Sequence, residues 1–521
     1  MRIPCPQKNA DCRISVGAGY FQYPRIINLY RFPSPNRGKG SLYFFKNGAG
    51  RIMKRAFFPI SNGTFPEAPG QKVFVGPGRT FPVHPPEKKP YKIIAFLSLL
   101  WGIKKYDCAF VRFPRRLSRG GGKPSPCKKT TPVHVLPTMS TSLSNDASLL
   151  APKPHYAILD GLRGVAAVMV VLFHLFEGSL SDREFHTDQI INHGYLCVDF
   201  FFMLSGFVIG YAYDDRWGKM SLWDFCKRRL VRLQPMVVMG MLIGGIFFYF
   251  QDSEIYPAMA STPMWEMLLV MTIGFTLLPV PTSMDVRGWA EMHPLNGPAW
   301  SLFFEYIANI LYATVVRRFS NTWLSILVFL AGCALIHQCF SQGNNIGGWT
   351  LDLEQLQIGA TRLIFPFFGG LLLFRLGKLA SIRNAFWWCS LMLVAAISMP
   401  HVGGAEYFRL NGLYDAFCII VIFPLIIFMA ASGHTKDRFS SKACKFLGDI
   451  SYPLYITHYP IVYLYTAWLY NNKVPLSQAL PVIAGTLIIC IALAYACLKL
   501  YDEPVRDWLK KRVLMRTSNQ K

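Results

Sequence analysis

An all-α, polytopic membrane bundle of about ten spanning helices, with both termini cytoplasmic, is the fold this sequence predicts. Three observations carry that expectation. The 521 residues are 52% hydrophobic and only 16% charged, the apolar residues fall in long runs, and the basic residues between runs alternate in abundance. Apolar segments of spanning length occupy 158–177, 195–213, 233–250, 297–316, 322–340, 360–376, 384–400, 413–432, 450–470 and 479–500. An eleventh apolar segment, 265–281, is settled by charge. If it does not cross, the cytoplasmic loops and tail hold nineteen Lys/Arg and the outer loops four, as the positive-inside rule requires. If it crosses, every later loop changes side and fourteen of the nineteen lie outside. The segment is therefore expected to be re-entrant or interfacial.

The net charge of +25 belongs mostly to one end. Residues 1–138 hold 25 Lys/Arg and 4 Asp/Glu, whereas the remainder holds 29 and 25. Nucleic-acid binding by the whole chain does not follow from such a distribution. The first 138 residues are rich in Pro, Gly and basic residues, with aromatics at no evident period. Their one apolar run, Ile93 to Ile103, is too short to span. A basic arm attracted to anionic lipid is one reading; a start codon assigned upstream of Met139 is the preferred one. The expected organisation is this extension, a polar lead-in over 139–157, a membrane domain over 158–505 and a basic cytoplasmic tail over 506–521. The cysteines show no metal-ligand spacing, and no metal or structural disulfide is expected.

The first span, ILDGLRGVAAVMVVLFHLFE, carries Arg163 and His174. Eleven residues at about 100° each total about 1100°, so both side chains fall within about 20° of one helix face, about 16 Å apart along the axis. Ionisable residues at membrane depth are costly and point to a functional interior face. The plainer alternative is a snorkelling arginine and a hydrogen-bonded bundle histidine. Asp199, near the outer start of the second span, is a candidate to orient His174, or a helix-capping aspartate. Arg228, Arg229 and Arg232 stand at the cytoplasmic mouth of the third span. Arg229 and Arg232 share a face, an arrangement suited to gripping phosphates. Glu305 in the fourth span is a carboxylate that needs a partner or a proton, and His458 in the ninth lies at a similar expected depth. Glu503 and Arg506 mark the cytoplasmic rim of the last helix. Two layers result: Arg163, Arg229, Arg232, Glu503 and Arg506 near the cytoplasm, and His174, Asp199, Glu305 and His458 deeper.

With these residues in view the chain closely resembles the acyltransferase-3 family, bacterial membrane O-acyltransferases that modify cell-surface and secreted glycans. The matching elements are LDGLRGVAAVMVVLFH, VDFFFMLSGFVI, RRLVR, NGPAWSLFFE, LGDISYPLYITH and DEPVR, in the family's order over roughly residues 155–510. The resemblance implies an active-site pair of Arg163 and His174, an acyl-CoA donor on the cytoplasmic side, and a bacterial inner-membrane location. It also implies importance for Asp199, Arg229, Arg232 and Glu503. Asp502 departs from the pattern, where an apolar residue is usual. A hydrolase-like domain, fused after the membrane part in some members, is not expected here.

The mechanism expected is transfer of an acetyl or other short acyl group from acyl-CoA to a sugar hydroxyl. The phosphates would rest on Arg229, Arg232 and Arg163, with Arg228 and Glu503 as further donor-binding residues, and His174 would act as base oriented by Asp199 or Glu305. Direct transfer and an acyl-histidine intermediate both fit. The competing expectation is a proton-coupled transporter with a relay through His174, Asp199 and Glu305, which the lack of inverted repeats disfavours.

Overall fold

The computed structural model describes residues 153, 155–178 and 190–514, apart from short gaps at 252, 257, 378–381, 403–405 and 436, together with four strands within 13–59. Contacts divide the chain into Met1–Leu143 and Ser144–Lys521. In the first unit the described residues are β1 (Arg13–Ser15), β2 (Ile26–Phe32), β3 (Gly40–Lys46) and β4 (Ile52–Pro59), an antiparallel sheet in sequence order. Sequence reading expected no strand period here, yet β2 and β4 are rich in the β-branched and aromatic residues that favour strands. The rest of that stretch, including Ile93 to Ile103 and Met139, lies outside the described residues.

The described elements of the second unit are all helical: α1 (Ala157–Gly178), α2 (Cys197–Tyr213), α3 (Leu222–Phe248), α4 (Met264–Phe275), α5 (Ala299–Thr314), α6 (Asn321–Gln342), α7 (Leu353–Leu376), α8 (Ala385–Ser398), α9 (Phe408–Ser432), α10 (Arg438–Asn472) and α11 (Leu476–Leu514). Two stretches of α11, Leu498–Asp502 and Lys510–Leu514, and the middle of α9 are π-helical. Caps fix several starts. Ser221 and Asp224 form a reciprocal capping box at α3, and Ser320, Asp352 and Asp437 accept from backbone N–H groups at α6, α7 and α10.

Each of the ten expected spans coincides with a helix, but only seven are both long and apolar enough to cross a membrane: α1, α2, α3, α6, α7, α9 and α11. The shortfall has two physical causes. Helices α5 and α8 have 16 and 14 residues, about 24 and 21 Å. Helix α10, at 35 residues, is long enough but too polar, carrying Lys442, Lys445, Asp449 and a run of tyrosines. The questioned segment 265–281 forms only α4, 12 residues or about 18 Å, packed on α3.

The core is organised by two close helix seams. Helix α1 lies against α10, where a Cβ at Gly164 would collide with the backbone carbonyl of Leu447. Helix α2 lies against α7, where Gly370 meets the carbonyl of Met203 in the same way. Small residues at such crossings let backbones approach, so the GLRG of the first span is packing chemistry as well as a lead-in to Arg163.

Candidate active site

Helices α1, α2, α3, α5, α10 and α11 enclose a cavity of about 990 Å³. Helix α10 gives its depth scale. Lys445 and Asp449 stand at the charged rim, Ser451 comes next, and Tyr455 is one turn, about 6 Å, further in. His458 lies beyond Tyr455 and does not line the cavity.

Of the residues chosen from sequence, Arg163, Arg228, Arg229, Arg232, Glu305 and Glu503 all line this cavity. Most of the charges are already matched. Arg163 pairs with Asp160 at 2.9 Å and donates Nε to Ser451 Oγ at 2.9 Å. Asp160 also accepts from His155 at 2.9 Å, and that hydrogen bond raises the His155 pKa. Arg229 is buried and pairs with Glu305 at 2.7 Å, while Ser205 donates to the same carboxylate oxygen at 2.6 Å. Arg506 pairs with Asp502 at 2.8 Å. Arg232 is different. It lines the cavity, is solvent-accessible, and has no carboxylate partner among the described residues. Arg228, beside it, likewise lacks one and keeps a buried Nε without an acceptor.

His174 lies about 16 Å from Arg163 along α1, outside the cavity lining. Its Nδ1 is 3.0 Å from Glu177 Oε2, and its ring stacks on His458 with centroids 5.8 Å apart. Tyr459 packs edge-on against it at 4.8 Å. With Nδ1–H donating to the carboxylate, Nε2 carries the free lone pair. His458 is fully buried. Its Nδ1 donates to the backbone carbonyls of Tyr455 (2.8 Å) and Leu454 (3.1 Å), and its Nε2 has no partner.

Three expectations change. Asp199 does not orient His174. It is fully buried on the α2–α7 seam, paired with Arg362 at 2.8 Å and accepting from Asn345 Nδ2 at 3.0 Å. Glu305 does not orient His174 either; it belongs to the arginine layer, with its charge engaged by Arg229. The carboxylate that meets the histidine is Glu177, three residues on and so on the same face. Because Asp199 and Glu305 are each held by an arginine, the expected relay through His174, Asp199 and Glu305 is not assembled. At the rim, Glu503 pairs with Lys499 at 2.5 Å, and the departure from the motif, Asp502, takes Arg506, four residues on.

Sequence reading missed Arg362, Glu177, Asp160, Ser451, Ser301 and Tyr455. Arg362 was legible as a lone charge within an apolar run, and Asp160 and Glu177 stand one turn from residues already chosen. Ser301 and Tyr455 carried no signal, since a serine near a helix start and a membrane tyrosine are ordinary.

The family model of the acyltransferase domain matches residues 156–495. "Protein 2 in picA locus" of Rhizobium radiobacter is 32% identical over 174 residues, 31% of this chain and 83% of that protein. "O-acetyltransferase OatA" of Staphylococcus aureus is 24% identical over 344 residues, 61% of this chain and 52% of the relative, so the chain spans about half that protein. "Acyltransferase MdmB" of Streptomyces mycarofaciens is 29% identical over 172 residues, 31% of this chain and 40% of the relative. No solved structure matches. With the matched region covering more than half of the chain and most of the helical bundle, the chain belongs to the acyltransferase-3 family of multi-pass membrane acyltransferases.

Proposed function

We propose that this protein transfers an acetyl or other short acyl group from acyl-CoA to a sugar hydroxyl of a cell-surface or secreted glycan. The observation that carries the reading is Arg232, an accessible cavity arginine that, like neighbouring Arg228, has no carboxylate partner among the described residues, while Arg163, Arg229 and Arg506 are paired. Such a charge calls for an anionic ligand, and a phosphate-bearing donor supplies one. Arg228 and Arg232 take the CoA phosphates, while Arg163 and Arg229, held by Asp160 and Glu305, shape the positive wall and contribute charge-assisted donors. Glu503, half exposed at the rim, borders the entrance. The reading includes ten spans, cytoplasmic termini and a bacterial inner membrane, which turns the arginine layer toward the CoA pool.

His174 acts as the general base. Glu177 fixes its tautomer, Nε2 takes the proton of the sugar hydroxyl, the hydroxyl oxygen attacks the thioester carbon, and CoA leaves as a thiolate that recovers the proton from the imidazolium. His458 stacks on His174 and backs its ring. Asp199 supports this site by holding the α2–α7 seam rather than by touching substrate. The test is thiol release from acetyl-CoA by the purified full chain in detergent, with a total envelope-glycan extract as acceptor and no membrane gradient. Release that requires His174 supports the reading; absence of release from the wild-type protein overturns it.

A further inference from the structure

The cavity changes character with depth. One turn beyond the Ser451–Arg163 and Glu305–Arg229 layer it is lined by Val198, Phe201, Phe202 and Leu302, and its polar groups there are the hydroxyls of Ser301 and Tyr455. These two come from α5 and α10, are 4% and 6% exposed, and lie 2.7 Å apart. Ser301 Oγ also donates to the Pro298 carbonyl at 3.0 Å, its own i−3 position, whereas Tyr455 reaches that carbonyl only at 3.4 Å. Ser301 is therefore satisfied as a donor by its own helix. The phenolic proton of Tyr455 rests on Ser301, and rotation of that one O–H bond redirects it into the cavity. The Tyr455 ring is 6.0 Å from the His458 ring, which is 5.8 Å from that of His174. Tyr455 thus borders both the cavity and His458, which in turn stacks on His174.

We propose that this end of the cavity is the acyl subsite. The thioester carbonyl oxygen accepts from Tyr455, with Ser301 holding the phenol, and the acyl chain lies among Val198, Phe201, Phe202 and Leu302. This rests on the donor reading given above and goes further by naming the residues that bind the reacting end. As the sugar hydroxyl attacks and the carbonyl oxygen becomes an oxyanion, Tyr455 strengthens its hydrogen bond to it. When the C–S bond breaks the carbonyl re-forms, the thiolate takes the proton held by His174, and nothing is consumed beyond donor and acceptor. A donor placed where charge develops contributes to kcat rather than to ground-state binding. The apolar walls set the accepted chain length. Phe201, packed on Tyr455 at 5.3 Å, closes the subsite against longer groups.

Purified wild-type, Tyr455→Phe, Ser301→Ala and Phe201→Ala proteins would be compared for thiol release from acetyl-CoA and butyryl-CoA, with the envelope-glycan extract as acceptor. Tyr455→Phe is expected to lower kcat about a hundredfold with KM for acetyl-CoA within about twofold, and Ser301→Ala to lower kcat about tenfold. A purely structural role would instead change KM and thermal stability. Phe201→Ala is expected to raise the butyryl-to-acetyl ratio of kcat/KM about tenfold. Wild-type kcat in Tyr455→Phe overturns the carbonyl contact. Should that variant misfold, an unchanged chain-length ratio in Phe201→Ala overturns the acyl subsite. A wild-type protein inert toward both donors removes the acyl-CoA reading itself, a result distinct from either.

Discussion

The two helix seams of this bundle use the same residue types to opposite ends. On the α2–α7 seam, Asp199, Arg362, Asn345, Asp415, His193 and Tyr195 form a closed network. Arg362 holds Asp199 and donates to the carbonyls of Tyr195 and Gly347, each at 2.9 Å, and Asp415 accepts from Tyr195, His193 and the Asn345 backbone at 2.7–2.9 Å. These acids and their partners are paired and the network lies outside the cavity. On the α1–α10 seam, His458 Nε2 has no partner and His174 keeps a free Nε2, and on neighbouring α3 Arg232 lines the cavity with no carboxylate partner among the described residues. Buried polar groups that satisfy one another hold structure; those left open beside a cavity are available to a ligand.

That contrast can be broken by substitution. The largest effect on stability is expected at Arg362→Ala, which strands a fully buried aspartate and should cost about 3–5 kcal/mol. Thermal unfolding in detergent measures it, and the paired Asp199→Asn/Arg362→Met protein should recover most of the loss. On the other seam, His174→Gln is expected to lower kcat by about 10²–10⁴ while the unfolding temperature stays within a degree or two of wild type, because the imidazole makes one partly exposed hydrogen bond. Loss of folding in that variant would move His174 to the structural side of the comparison. Arg232→Ala should raise KM for acetyl-CoA about tenfold and flatten its salt dependence, with kcat little changed, since a phosphate contact made equally in ground and transition states is uniform binding. The smallest effect is expected at Glu177→Gln, about tenfold in kcat, because an amide oxygen still accepts from Nδ1–H but stabilises the imidazolium less.

Much of this was legible in the sequence because it is local. Helical period placed Arg163 and His174 on one face, three-residue spacing joined Arg229 to Arg232, and loop charge kept 265–281 from being a span. The number of fully apolar spans was less legible, since α5 and α8 are short and α10 mixes tyrosines, prolines and a histidine into its length. The partners were the least legible. Arg229 meets Glu305 from 76 residues away, Ser301 meets Tyr455 from 154 and Asp199 meets Arg362 from 163, and no period or spacing carries such pairings. Asp199 was assigned to His174 because both stand at matched depth on neighbouring spans; depth without azimuth does not decide which neighbour a side chain faces. Glu177 shows the converse, a partner that its spacing from His174 was enough to suggest.

The central claim is that the open groups of the α1–α10 seam, and not the closed network of α2–α7, carry out acyl transfer. It is tested most directly by single-turnover thiol release from acetyl-CoA in the purified His174→Ala protein, with the envelope-glycan extract present. Thiol release reduced at least a hundredfold, in a protein that still binds CoA as wild type does, is the predicted result. Release at the wild-type rate would contradict it.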